Sequence, residues 1–364
     1  MIRVLVVLAL VAGTAHADVQ RTIAGSLQLD YLAVPTESMP RAYTLDATTV
    51  ELSLKMSVDF SKNASATVKA CFACHGFEAA AAFVDLRAAD ELRVRIGRMT
   101  PSFGSFPERY DPANHRTSDK PLPYDMGRML HKDQWNEGVL PAPWVDNGVE
   151  VGGTHFYEDG RIDYAAYALA GPKNQDAQPT DFDFVLSHTP AAYYVDNNSQ
   201  PIVGARFAGT LEASDFMLTA GGSVMAGHYD SAGKLLFEIV GADVVAKISG
   251  VYLRAEYLIR RTQMDLAALP PMTTDDTATK HGFYVESEVP VGPVDVIGRF
   301  DGLRRIGATP MDSPLADRAT VYRYTLAGAL RVTANVRLKT SVEYYQFSDF
   351  ADELAIHLGV ATPF

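Results

Sequence analysis

Long apolar runs are nearly missing from this sequence. Past residue 17, no stretch approaches the roughly 20 residues that a helical membrane span needs. Mean hydropathy is only −0.03, so a helical membrane protein is excluded. Cysteine is scarce too: there are two in 364 residues, too few for a disulfide-dense scaffold. Positive charge is short. Lysine and arginine number 32 against 44 acidic residues, for a net charge of −12, and that balance offers no basic face for nucleic acid. G-x-S-x-G, a phosphate-cradling Gly loop and H-E-x-x-H are all absent, so no nucleophile–base or zinc-hydrolase arrangement stands out. No linker, repeat or low-complexity boundary divides the chain.

What is present begins at the N-terminus. Residues 1–17 carry an early Arg3, an apolar run from Val4 to about Val11, and the small-x-small site Ala15-His16-Ala17. That order is a bacterial-type secretory signal peptide. It leaves 18–364 as the exported chain.

The rest alternates. In "VELSLKMSVDF", Val50, Leu52, Leu54, Met56, Val58 and Phe60 share one face, with Glu51, Ser53, Lys55, Ser57 and Asp59 on the other. Strict alternation is the strand signal. It recurs in "LRVRI", "LRAEYLIR", "VYRYTLAGALRV" and "VRLKTSVEYY". The pattern predicts strands at 22–34, 48–60, 64–73, 77–87, 91–100, 147–156, 161–171, 202–211, 216–228, 234–248, 251–263, 280–291, 294–304, 319–333, 335–347 and 353–364. That is about sixteen, an even number, as single-chain bacterial barrels have. Short connections, such as Ser249-Gly250 and Gly292-Pro293, take turns with long ones at 35–47, 101–146, 172–201, 264–279 and 305–318. A two-sheet sandwich gives no reason for such regularity. The fold class is therefore all-β: a transmembrane antiparallel barrel in the bacterial outer membrane, apolar residues facing lipid and charges facing a wet lumen. Aromatic residues near strand ends (Tyr31, Phe60, Tyr322, Tyr324, Tyr344, Tyr345) fit girdles at the two interfaces. The last strand alternates and stops on Phe364. It looks like the closing strand by which bacterial barrels engage the barrel assembly machinery, although Thr362 stands where an aromatic is common.

One hairpin carries a more specific likeness. "FVDLRAADELRVRIGRMTPSFG" (83–104) resembles a hairpin of the phosphate-selective porin O and P family, in which an alternating strand ends in a Pro-Phe-Gly-like corner before a long loop. Here the corner is Pro101, Phe103 and Gly104, interrupted by Ser102. The resemblance implies a trimeric outer-membrane porin with one loop folded into the lumen. Phosphate itself does not follow, because pore-lining basic residues set that preference.

The loop at 101–146 is the candidate constriction. Phe103, Phe106, Tyr110, Tyr124, Met126, Met129, Leu130 and Trp135 are too many apolar anchors for disorder. Arg109, His115, Arg116, Lys120 and Arg128 could face passing anions, and seven acidic residues lie among them. Two readings follow: a selectivity filter, or a plug whose charges satisfy one another. On the walls, Arg93, Arg95, Arg254, Arg260, Arg299, Arg323, Arg331, Arg337 and Lys339 fall on the lumen parity. They lean toward anions such as phosphate, and the net charge of −12 leans the other way.

"CFACHG" (71–76) holds both cysteines. Cys71 and Cys74 could close a disulfide in an oxidising compartment. With His75 they also spell the c-type haem attachment string. Reduced, they make an incomplete metal site. The strand–turn–strand setting disfavours haem, whose attachment sites normally open a helix. The expected function is passive diffusion of small hydrophilic solutes with no chemical step and no cofactor, although barrel enzymes exist. The alternatives are the sheath of an electron conduit with haem at the CFACH string, and a non-conducting scaffold or adhesin.

Overall fold

The computed structural model describes residues 19–35, 48–73, 76–125, 130–131, 138–172, 196–307, 309 and 317–364. The expected signal peptide, Cys74, His75, Met126, Arg128, Met129 and Trp135 lie outside them.

Sixteen strands close into one antiparallel barrel in sequence order. They are β1 (Gln20–Ala33), β2 (Thr48–Ser61), β3 (Ala64–Ala73), β4 (Gly76–Ala89), β5 (Leu92–Met99), β6 (Asp146–Tyr157), β7 (Gly160–Leu169) and β8 (Ile202–Ala213). The second half is β9 (Phe216–His228), β10 (Leu236–Ile248), β11 (Val251–Gln263), β12 (Thr277–Val291), β13 (Val294–Ile306), β14 (Arg318–Arg331), β15 (Arg337–Phe347) and β16 (Glu353–Pro363). Each range falls within about four residues of its period-2 run. β12 starts three residues earlier than expected, at Thr277.

Closure satisfies every backbone edge. β1 pairs with β2 on one side and β16 on the other, Ser26 opposite Pro363. Gly25 and Phe364 then exchange both backbone hydrogen bonds, at 2.8 and 3.0 Å. In hydrocarbon an unpaired edge would cost several kcal/mol per group, and a closed ring has none.

Parity sorts the side chains. On β14, Tyr322, Tyr324, Leu326 and Leu330 are exposed while Arg323 and Thr325 are buried. On β11, Leu253 and Tyr257 are exposed while Arg254, Glu256 and Arg260 are buried. An apolar exterior with charges inside reverses a soluble core and suits a lipid solvent. Among the expected girdle aromatics, Tyr31, Phe60, Tyr322, Tyr324 and Tyr344 are exposed. Tyr345 is not. It takes the inward parity, is 1 % exposed, and its hydroxyl donates to Glu343 and accepts from Arg323. A pair of adjacent tyrosines in a strand must split between the faces.

Candidate functional site: the lumen and its crossing segment

Residues 100–125 leave β5 and run against the inward faces of most of the barrel. The crossing starts at Gly104, whose φ of +63° is open chiefly to glycine. The Gly104 amide donates to Ser223 of β9. Glu256 of β11 then gathers the segment. Its carboxylate accepts from the Ser105 amide and hydroxyl, the Phe106 amide, and the hydroxyls of Tyr124 and Tyr284. A carboxylate with that many donors sits comfortably in a dry place.

Beyond Phe106 the segment reaches the opposite wall. Lys69 of β3 holds Tyr110 and Asp111. Lys339 of β15 donates to the Pro112 and Thr117 carbonyls, and Arg337 to that of Ala113. Arg299 binds Thr117 and the Asp119 carbonyl. Arg323 bridges Asp119 and the Lys120 carbonyl to Asp301 and Glu343. Arg116 lies 3.3 Å from Glu288 and 3.2 Å from Asp295. Arg109 meets Glu286 at 3.3 Å. Among the described residues, the segment's charges thus pair mainly with the wall and not with one another. Phe103, Phe106, Tyr110, Leu122, Tyr124, Leu130 and Trp144 join inward Leu258, Tyr284, Leu303 and Val321 in one apolar cluster.

Not every expected loop cation faces water. His115 is 3 % exposed and packs beside Phe106. Burial holds its pKa well below the usual imidazole range, and Lys339, Lys120, Arg109 and Arg299 push the same way. It is neutral. Lys120 donates to the Ala142 carbonyl. Arg116 and Arg109 carry carboxylate partners. On the wall, Arg260 is fully buried against the Val139 carbonyl, and Arg331 sits at the short-turn rim on Asp295 and the Gly292 carbonyl.

Open space lies on the other side of the segment. A cavity of about 670 Å³ is lined by Arg87, Arg93, Arg161, Arg206 and Arg254 of the wall and by Glu108 and Arg109 of the segment. Asp90 and Asp163 add negative charge. Most of these arginines are answered from behind: Arg93 by Asp85 and Glu150, Arg206 by Asp243 at 2.5 Å, Arg254 by Glu286 and Glu288, Arg161 by Asp163 and Glu212. Arg95 also meets Asp85 and Glu150. Sequence reading missed Arg87, Arg161 and Arg206. The run "GARFAGT" alternates weakly because glycine and alanine fill most of its outward positions, yet the parity of Phe207 would have placed Arg206 inside. Glu108 is exposed to the cavity, with the charged wall residues Arg206, Asp163 and Arg161 lining the same space. Burial raises its pKa, Arg206 opposes, and Asp163 and Asp243 add to the rise.

Asp119, Glu343 and His357 present ligand atoms within 4.8 Å of one another. Arg323 donates to both carboxylates at 3.1 and 3.2 Å, so a guanidinium holds the place a metal would take. Cys71 is buried on the inward parity of β3, opposite Ser53 and Glu78. The disulfide and haem expectations also need Cys74 and His75, outside the described residues.

No family model matches the chain, and no curated protein does. Solved structures do match. The barrel is similar to Salmonella typhi OmpF in complex with daunomycin, at TM-score 0.57 and 14% identity, covering 94% of this chain and 97% of that one. It is similar to the outer membrane channel DcaP of Acinetobacter baumannii, at TM-score 0.57 and 11% identity, covering 96% and 99%. It is also similar to OprB of Pseudomonas putida, at TM-score 0.54 and 11% identity, covering 95% and 94%. At these identities the likeness is one of fold, and the fold is that of bacterial outer-membrane porins.

Proposed function

We propose that this protein is an outer-membrane diffusion channel that passes small hydrophilic solutes and favours anions, phosphate among them, by a modest margin. The observation that carries the reading is the cavity between the crossing segment and β4–β11. Sixteen tilted strands enclose more space than their own side chains fill. The segment takes up the β11–β16 side and leaves an eccentric, arginine-rich passage on the other. Charged residues at a narrowing bias which ion crosses. Here six arginines line the passage against Asp90, Glu108 and Asp163, and carboxylates behind them reduce the bias without reversing it. No step of bond chemistry is needed. The similarity to porins and an outer-membrane channel supports the same reading, as does the apolar exterior. The likeness to phosphate-selective porins agrees in kind, and a homotrimer is the assembly that it suggests.

Planar-bilayer recording of the purified protein tests this. Discrete openings and a reversal potential on the anion side of zero in a salt gradient are expected. A barrel that inserts but never conducts would favour the scaffold reading. Haem at the CFACH string belongs to the conduit reading, and a Soret band in protein from a haem-competent host would support it.

A further inference from the structure

We propose that the outer face of β11–β14 binds a phosphate-bearing lipid of the membrane's outer leaflet. The strand register places the residues. Arg261, Thr279, Ile306 and Arg318 form one transverse row, each opposite the next. The row beneath it is Ile259, His281, Arg304 and Thr320. These residues have the outward parity, since their neighbours Arg260, Lys280 and Arg305 are buried inward. Three arginines within four consecutive strands therefore point at the bilayer, at the end of the barrel that carries the long connections 264–276 and 307–317.

The rows below set their height. Next come Tyr257, Phe283, Gly302 and Tyr322, then Ala255, Val285, Phe300 and Tyr324, then Leu253, Ser287, Gly298 and Leu326. The rings form one cluster: Phe283–Phe300 at 5.2 Å, Phe300–Tyr324 at 4.9 Å and Phe300–Tyr322 at 5.8 Å. Aromatic belts sit where acyl chains give way to headgroups. Rows on one face lie about 7 Å apart. The arginines thus stand in the headgroup layer, level with lipid phosphates.

Their pairing marks them out. Three inward arginines of these strands, Arg254, Arg299 and Arg323, meet carboxylates, and inward Arg260 donates to the Val139 carbonyl. Among the described residues no carboxylate comes within ion-pair distance of Arg261, Arg304 or Arg318. Glu238, opposite Arg261 in the register, and Asp317, next to Arg318, flank the patch without closing it. Strands lie about 4.8 Å apart, so the Arg261 and Arg318 backbones stand roughly 14 Å from each other with Arg304 between and below. Flexible side chains on that base can converge on one phosphate or straddle two. Arginine forks match phosphate oxygens, and the aromatic rows below offer the acyl chains an apolar surface.

Native mass spectrometry of the full chain in detergent tests it. The probes are a bis-phosphorylated glycolipid and its dephosphorylated form with the same acyl chains. The wild type is expected to retain the phosphorylated lipid selectively, and Arg261→Gln/Arg304→Gln/Arg318→Gln to bind it about 100-fold more weakly. Arg304→Gln alone, expected to weaken binding about fivefold, serves should the triple variant fail to fold. Equal retention of both lipids by the wild type overturns the proposal, as does unchanged retention by the variants. Release of the lipid by millimolar inorganic phosphate would make free phosphate the ligand and also overturn it. Because these arginines face away from the lumen, the variants are expected to conduct as the wild type does. A barrel that never conducts yet retains the lipid would sink the channel reading and leave this one standing.

Discussion

At the scale of single residues, the crossing segment hangs on Glu256. One carboxylate accepts five hydrogen bonds from residues of the segment and of β12. Glu256→Ala would leave two buried tyrosine hydroxyls and two amides without an acceptor. Each bond to a charged group contributes roughly 1.5–3 kcal/mol, so docking is expected to weaken by several kcal/mol. The segment should then fluctuate, giving flickering single-channel currents and faster tryptic cleavage after Arg109. A quiet, protease-resistant variant would show that other contacts suffice. His115 sets a pH limit on the same docking. Docked, its imidazole is neutral because burial and four nearby cations hold its pKa below the usual range. Released, it titrates near the ordinary value of about 6.5. Below that pH the released form takes up a proton that the docked form refuses. Docking is therefore at full strength above about pH 6.5 and weakens as pH falls. Tryptic cleavage should rise between pH 7.5 and pH 5.5, and His115→Phe, which keeps the ring beside Phe106, should flatten that rise. An equal rise in the variant would assign the effect to another group.

At the scale of elements, the strands were written in the sequence and the contacts between them and the loop were not. A period of two is local: Val50 to Phe60 and Tyr322 to Leu330 show it without any partner. Lipid on one face and water on the other enforce it, so nearly every strand surfaced within a few residues of its place. Tyr345 marks the limit of reading by composition, because an aromatic near a strand end looks like girdle until parity is counted. The crossing segment has no period. Most of its partners lie on strands more than a hundred residues away, as with Ser105 and Glu256 or Ala113 and Arg337, and nothing local announces them. Its anchors Phe103, Phe106, Tyr110, Tyr124 and Leu130 were visible; which charges turn inward, as His115 does, was not. Depth in the membrane is an element-scale property as well. Leu326, 65 % exposed, lies one row past the Phe300–Tyr324 rings toward the middle of the apolar belt. Leu326→Arg is expected to destabilise the barrel by about 2–4 kcal/mol, measured by urea unfolding from lipid vesicles. Thr320→Arg, in the row of Arg304, should cost under about 1 kcal/mol. Equal costs would mean that the row assignments do not track depth.

At the scale of the whole molecule, the charge balance divides between the two sides of the crossing segment. The net charge of −12 looks hostile to an anion channel, yet carboxylates such as Asp301 and Glu343 are committed to arginines on the filled side. On the proposed path, solutes meet the lining of the open side, to which Arg206 and Glu108 both belong, and Arg206 holds Asp243 behind it. Asp243 is 3 % exposed, so its charge is felt only if its partner goes. Arg206→Gln would remove a lining cation and also uncover a buried anion, and the two changes act in the same direction. The ratio of anion to cation permeability, read from the reversal potential in a salt gradient, should fall. Arg206→Gln/Asp243→Asn should recover a large part of that fall, since the uncovered anion is gone while the lining cation stays lost. Glu108→Gln should move the ratio the other way. Because burial raises the pKa of Glu108, the wild type should approach the Glu108→Gln ratio as pH drops toward and through the carboxylate range. The variant should lack that component of the pH response. If Arg206→Gln leaves the reversal potential unchanged, solutes do not pass between Glu108 and Arg206, and the conducting path must run elsewhere in the barrel.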